Sequence, residues 1–148
     1  MVNMSHHLEP WTWDHVSDLL GCECQNPVGC MSFGRIQTDS RSIAKGDVFL
    51  ALKGDRFDGH DFLGQAIKAG ASGLIIVSGH EFDSVGSNIP CLRVMDTLEA
   101  YGELARARRT EWNGPVLAIG GSAGKTTTRR LVAASLDQEY QILQPLQN

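Results

Sequence analysis

The residues best suited to chemistry lie late in the chain, in the run Gly120-Gly121-Ser122-Ala123-Gly124-Lys125-Thr126-Thr127-Thr128. The apolar stretch Val116-Leu117-Ala118-Ile119 precedes it and reads as a strand, and Thr127–Leu136 follows as a helix. Strand, glycine-rich loop and helix together can hold the phosphates of a nucleotide. Successive backbone N–H groups converge on phosphate oxygens. Glycines let the backbone approach closely, and the helix offers free N–H groups and the positive end of its dipole. In such a loop Lys125 reaches the outer phosphates and the Thr126 hydroxyl binds Mg²⁺. The general G-x-x-x-x-G-K-[ST] pattern is not met, because Ile119 stands where its first glycine belongs. The chain carries the shorter G-x-x-G-K-T, from Gly121 to Thr126. The bland alternative is a glycine-rich turn with a solvated lysine.

The elements that must position this loop fit an ordinary domain. The chain has 148 residues, 42% hydrophobic and 20% charged, which is a globular composition. Its net charge of -4 argues against a general nucleic-acid binder, which is expected to be basic. No apolar run approaches the ~20 residues of a membrane helix. Met1 to Pro10 lacks the apolar core of a signal peptide, so the expected compartment is the cytoplasm. There Cys22, Cys24, Cys30 and Cys91 stay reduced. Their spacing departs from that of zinc ligands, and His6-His7 reads as part of a disordered end.

Periodicity alternates between strand and helix. Thr12–Leu20 has helical spacing at Trp13, Val16, Leu19 and Leu20, with Thr12 to cap it and Gly21 to end it. Gln25–Gly29 and Lys45-Gly46-Asp47 read as turns. Val48–Leu52, Gly73–Val77 and Cys91–Met95 read as buried strands, and Lys53–His60 as a loop. Asp61–Ala69 reads as a helix with Phe62, Ala66, Ile67 and Ala69 near one face. Asp96-Thr97-Leu98-Glu99 has the form that opens a helix, predicted to about Arg109 with Leu98, Tyr101, Leu104 and Ala105 as its apolar stripe. Trp112-Asn113-Gly114-Pro115 breaks the pattern. The reading is therefore α/β. Residues 1–113 form a small mixed-sheet domain, and 114–148 form the strand, phosphate loop and helix that begin a second, with a last strand at Tyr140–Leu143.

A second set of motifs lies in the first domain. Thr38-Asp39-Ser40-Arg41 is followed by Lys45-Gly46-Asp47-Val48-Phe49-Leu50-Ala51-Leu52-Lys53-Gly54 and then by Asp58-Gly59-His60-Asp61-Phe62. This order resembles the N-terminal domain of the Mur ligases, the ATP-dependent enzymes that build the peptide stem of the bacterial cell wall. The short phosphate loop is that family's form too, and the resemblance runs from about Thr12 to Asn148. Ala51–Phe62 and Asp96-Thr97-Leu98 look most like the member that adds D-alanyl-D-alanine to a UDP-muramoyl tripeptide. The member adding the third stem amino acid is the close competitor.

The resemblance implies that the first domain binds the uridine nucleotide of a UDP-linked muramoyl peptide, with Ser40, Arg41 and Asp58-Gly59-His60 near its uracil or diphosphate. It implies ATP and Mg²⁺ as cofactors. Gly120, Gly121, Ser122, Ala123, Gly124, Lys125, Thr126 and Thr127 would hold the ATP phosphates, and Thr126 the metal. Asp39 and Arg41 read equally well as a structural ion pair, and His60 as a helix cap. The family usually has Thr at the position of Gly120 and a polar residue at that of Ala123, which predicts weaker nucleotide contacts. Its later metal ligands, modified lysine, adenine contacts and amine-binding domain have no counterpart in these residues. The expectation is thus the N-terminal part of a ligase, unable to ligate alone. The alternative is a stand-alone module that binds UDP precursor, nucleotide or a partner, a second copy included.

Overall fold

The computed structural model describes residues 9–26, 29, 31–82, 88–112, 114–140, 142 and 144. It divides into two compact units, Met1–Asn113 and Gly114–Asn148.

The first unit is a five-stranded mixed sheet between helices. Its elements are α1 (Trp13–Leu20), β1 (Cys24–Gln25), β2 (Ile36–Gln37), β3 (Val48–Leu50), α2 (Leu63–Ala69), β4 (Gly73–Val77), β5 (Cys91–Val94) and α3 (Thr97–Glu111). The strand order is β1-β5-β4-β3-β2. Strands β2 to β5 run parallel, and β1 joins β5 antiparallel with Cys24 opposite Leu92.

Side-chain alternation divides the core between the two faces. Val48, Leu50, Ile75, Leu92 and Val94 pack with Trp13 and Val16 of α1 and Ala100 and Leu104 of α3. Phe49, Ala51, Leu74, Ile76 and Cys91 pack with Leu63 and Ala66 of α2. The strands are short and apolar because both faces are covered.

Caps set the helix ends as the sequence reading expects. Thr12 accepts from the His15 N–H, and Gly21 ends α1 in the left-handed region at φ 59°. Asp96 accepts from the N–H groups of Leu98 and Glu99. Ahead of α2 the chain first makes a 3₁₀ turn, Gly59–Phe62, capped by Asp58.

The buried face of α3 differs from the predicted stripe. Thr97, Ala100 and Leu104 are buried, whereas Leu98, Tyr101 and Ala105 are exposed. Small side chains at Thr97 and Ala100 let the helix lie close to the sheet, and hydrophobicity alone misplaces such a face. Phe62 and Ala69 of the predicted α2 stripe are likewise exposed, and Leu63 is buried instead. Strands β1 and β2, two residues each, gave no periodic signal.

Asp47 ties the start of β3 to its surroundings. Its buried carboxylate accepts from the N–H of Ala44 at 3.0 Å, the N–H of Arg35 at 3.2 Å and the Arg35 guanidinium at 3.0 Å. Burial works against this charge, but these donors outweigh it and hold the Asp47 carboxyl below its ordinary range. A lowered folded-state pKa stabilises the fold above the unfolded carboxylate value, and that contribution disappears as pH falls. The contribution of Asp47 to the urea midpoint should therefore be constant above about pH 5 and fall progressively below about pH 4. A midpoint equal at pH 7 and pH 3 would contradict this.

The second unit holds α4 (Lys125–Leu136). Val116–Ile119 is not a strand: Val116, Leu117 and Ala118 are exposed and make no ladder. A strand exists only through a paired neighbour, and among the described residues none pairs with this segment. Of the predicted Tyr140–Leu143 strand, Tyr140 lies in a bend, and Gln141 and Leu143 fall outside the described residues. So do His6, His7, Pro27, Val28 and Cys30.

Candidate functional site

In the first unit the candidate residues gather where parallel strands end. Thr38–Ser42 follows β2, Ala51–Phe62 follows β3, and Ser78–His80 follows β4. Ligands of open α/β sheets bind at the carboxyl ends of the strands.

The Asp39–Arg41 turn is fastened to itself. Asp39 accepts from the Arg41 N–H at 3.0 Å and from the Arg41 guanidinium at 2.9 and 2.7 Å. These bonds hold the Asp39 carboxyl down to about 2. The Arg41 side chain stays 81% exposed, so its remaining donors face solvent. Ser40 is buried, and its hydroxyl donates to Gln65 Oε1 of α2 at 3.4 Å.

The Asp58-Gly59-His60 loop is fastened at three points. The Gly59 N–H donates to the Leu52 carbonyl at 2.8 Å. Asp58 accepts from the His60 N–H at 3.0 Å and lies 2.6 Å from His60 Nδ1. The buried His60 ring meets the Val77 N–H at 3.1 Å through Nε2. Asp58, not His60, is thus the cap of the following turn, and its bonds to His60 lower its pKa. Sequence reading missed Gln65 and His80. The His80 ring lies 4.7 Å from that of His60. Its position just after β4 is the one signal that would have found it.

In the second unit the loop enters α4 through Gly124, whose φ of 77° lies in the left-handed region. A side chain there would be strained. Gly124 has no side chain to cap the helix start, and the N-terminus of a helix is a place where anions bind. Lys125 Nζ donates back to the Gly121 carbonyl at 2.7 Å, which lays the ammonium across the loop. Gly120 to Lys125 are exposed. A glycine-bounded loop, an uncapped helix start and a lysine over it are the parts a polyphosphate needs. Among the described residues no cluster of three or more His, Cys, Asp or Glu side chains could hold a metal ion. A cation here would depend on Thr126 and on oxygens supplied by the ligand. Cys22, Cys24 and Cys91 are free thiols, and burial pushes Cys91 up to about 11, away from reactivity. No described helix is long and apolar enough to cross a membrane.

Residues 33–109 match the family model described as "Mur ligase family, catalytic domain". The UDP-N-acetylmuramoyl-tripeptide–D-alanyl-D-alanine ligase of Synechocystis is 44% identical over 103 residues, covering 70% of this chain and 22% of that protein. A crystal structure of MurF from Acinetobacter baumannii superposes with a TM-score of 0.72 at 37% identity, over 89% of this chain and 28% of that one. MurF ligase from Thermotoga maritima, solved in complex with ADP, gives 0.55 at 35% identity, over 71% of this chain and 23% of its own. The chain spans about a quarter of the length of these proteins. The family match over residues 33–109, more than half of the chain, makes this chain a member of the Mur ligase family.

Proposed function

We propose that this chain provides the UDP-precursor site and the ATP phosphate loop of a ligase that adds D-alanyl-D-alanine to a UDP-muramoyl tripeptide. The observation that carries the reading is the pairing of two sites in one chain. One is the set of loops at the strand ends, with Arg41 presented to solvent, and the other is the Gly121–Thr126 loop, whose helix begins without a side-chain cap. The 44% identity to a ligase of that name favours the dipeptide over a single amino acid as the group added. The proposed setting is the cytoplasm, where UDP-linked precursors are made.

Each residue has a role in this reading. Ser40, Arg41 and the Asp58-Gly59-His60 loop face the uridine diphosphate, with Arg41 offering a charge-assisted contact to the diphosphate. Gly120 to Thr127 surround the ATP phosphates. Lys125 would exchange its bond to the Gly121 carbonyl for the outer phosphates, and the Thr126 hydroxyl would help hold Mg²⁺. In such ligases ATP would give its γ-phosphoryl group to the substrate carboxylate, releasing ADP, and an amine would then displace phosphate from that acyl phosphate as the amide forms. This chain's share is to position and neutralise the charged reactants.

The ATP half is tested by Lys125→Ala. Its Mg·ATP affinity, measured by calorimetry, should fall at least ~10-fold, the loss of one strong charge-assisted contact. UDP binding by the first unit should not change. Equal Mg·ATP affinity in both proteins would remove Lys125 from the site.

A further inference from the structure

We propose that His60 is a positioning residue: its imidazole latches the Asp58-Gly59-His60 loop to the end of β4, and this latch sets the affinity of the loop for uridine diphosphate. The proposal rests on the reading of that loop as the uridine nucleotide site.

The geometry begins with the sheet. Ile75 offers its carbonyl toward β3, where the Ala51 N–H donates to it at 3.0 Å. Ser78 donates toward β5, to the Val94 carbonyl at 2.7 Å. Backbone groups of a parallel strand alternate between its two neighbours, so the Val77 N–H faces the β3 side. Strand β3 has already ended at Leu50. The chain leaves the sheet at Ala51 and returns at His60, whose Nε2 meets the Val77 N–H at 3.1 Å. A side chain thus replaces the missing strand.

The same contact fixes the ring's chemistry. An amide N–H can only donate, so Nε2 must carry a lone pair. The single proton of the neutral ring then sits on Nδ1 and is donated to Asp58 Oδ1 at 2.6 Å. A rigid acceptor at one end and a donor at the other is what this gap requires, and neutral imidazole supplies both. The His60 side chain is 3% exposed, and the ring of His80 packs 4.7 Å from it. Both nitrogens are occupied, so His60 acts on a ligand through the loop it holds. A loop held beforehand in its binding geometry loses less freedom when the ligand arrives.

The test uses the full chain, with UDP as the probe. Histidine ¹⁵N correlation spectra of the unaltered protein should show His60 neutral with its proton on Nδ1, and Val77 amide exchange should be slow. His60→Gln can still accept from Val77, whereas His60→Asn reaches only toward Asp58 and His60→Ala reaches neither. UDP affinity by calorimetry should stay within about threefold in the Gln variant and fall about tenfold in the Asn and Ala variants. Val77 exchange should rise in the same order. An Nε2-protonated ring, or Val77 exchange and UDP affinity equal in all variants, would overturn the latch. The tautomer measurement needs no variant and stands even if one fails to fold. If the unaltered chain binds no UDP, the uridine reading falls together with the link to affinity. The latch itself is still decided by the tautomer and the Val77 exchange.

Discussion

Gly73→Ala should destabilise the first unit by about 3 kcal/mol or more, at the upper end of the cost of overpacking a core. Gly73 opens β4 on the face covered by α1, and it is buried. A β-carbon there would overlap the six-membered ring of Trp13 and come within 2.7 Å of the Pro90 carbonyl oxygen. Neither neighbour can give way cheaply. Trp13 is buried between α1 and the sheet, and Pro90 is backbone beside β5. The missing side chain is therefore the space into which Trp13 packs. Urea unfolding would measure the loss against a total stability of ~5–15 kcal/mol for an ordinary domain. Gly102→Ala is the control, since a β-carbon on that α3 residue meets nothing within 4 Å. It should gain up to about 1 kcal/mol from helix propensity. Trp13→Phe combined with Gly73→Ala should recover part of the loss, because phenylalanine lacks the overlapping atoms. Strict additivity of the two changes would show that the clash is not the cause.

Asp47→Ala should cost about 3 kcal/mol, from two backbone N–H groups that each lose a buried acceptor at ~1–3 kcal/mol. The Ala44 and Arg35 amides both donate to this one carboxylate. Little of the cost comes from the ion pair, because the Arg35 side chain is 60% exposed and water can replace its partner. Arg35→Ala should therefore cost well under half as much as Asp47→Ala in the same urea titration. Equal losses would place the stability in the salt bridge instead. Asp47 also carries part of the sheet in its backbone, since the Ser72 N–H donates to its carbonyl at 2.7 Å. Its alanine variant keeps that bond, so the measurement isolates the side chain.

Where the sequence was legible, one local signal was enough. Thr12, Gly21 and Asp96 mark helix ends by their own side-chain and backbone chemistry, and each helix ends or begins there. The apolar runs at β3, β4 and β5 could only be buried. The α3 face was misread in part, because the small residues Thr97 and Ala100 are buried beside Leu104 while Leu98 and Tyr101 are exposed. Val116–Ile119 was misread because apolar content gives a strand its burial but not its partner. The same distinction holds at the sites. The proposed phosphate loop is local, so its glycines and lysine stand in order along the chain. The strand-end site is assembled from loops far apart in sequence. The family resemblance named Asp58 and His60, but not the bond from Val77 or the neighbouring ring of His80. That bond exists only because β3 stops two residues before β4 does, which is a property of the sheet.

The central claim is that the loops after β2 and β3 bind a UDP-linked muramoyl tripeptide. Its most direct test is calorimetric titration of the 148-residue chain with UDP-N-acetylmuramoyl tripeptide, in the presence and absence of UDP, repeated with Arg41→Ala. One molecule should bind per chain, and UDP should displace it. Arg41→Ala should weaken binding about tenfold, as expected for one charge-assisted hydrogen bond to a diphosphate. No binding, or binding that neither UDP nor the Arg41 substitution diminishes, would contradict the account.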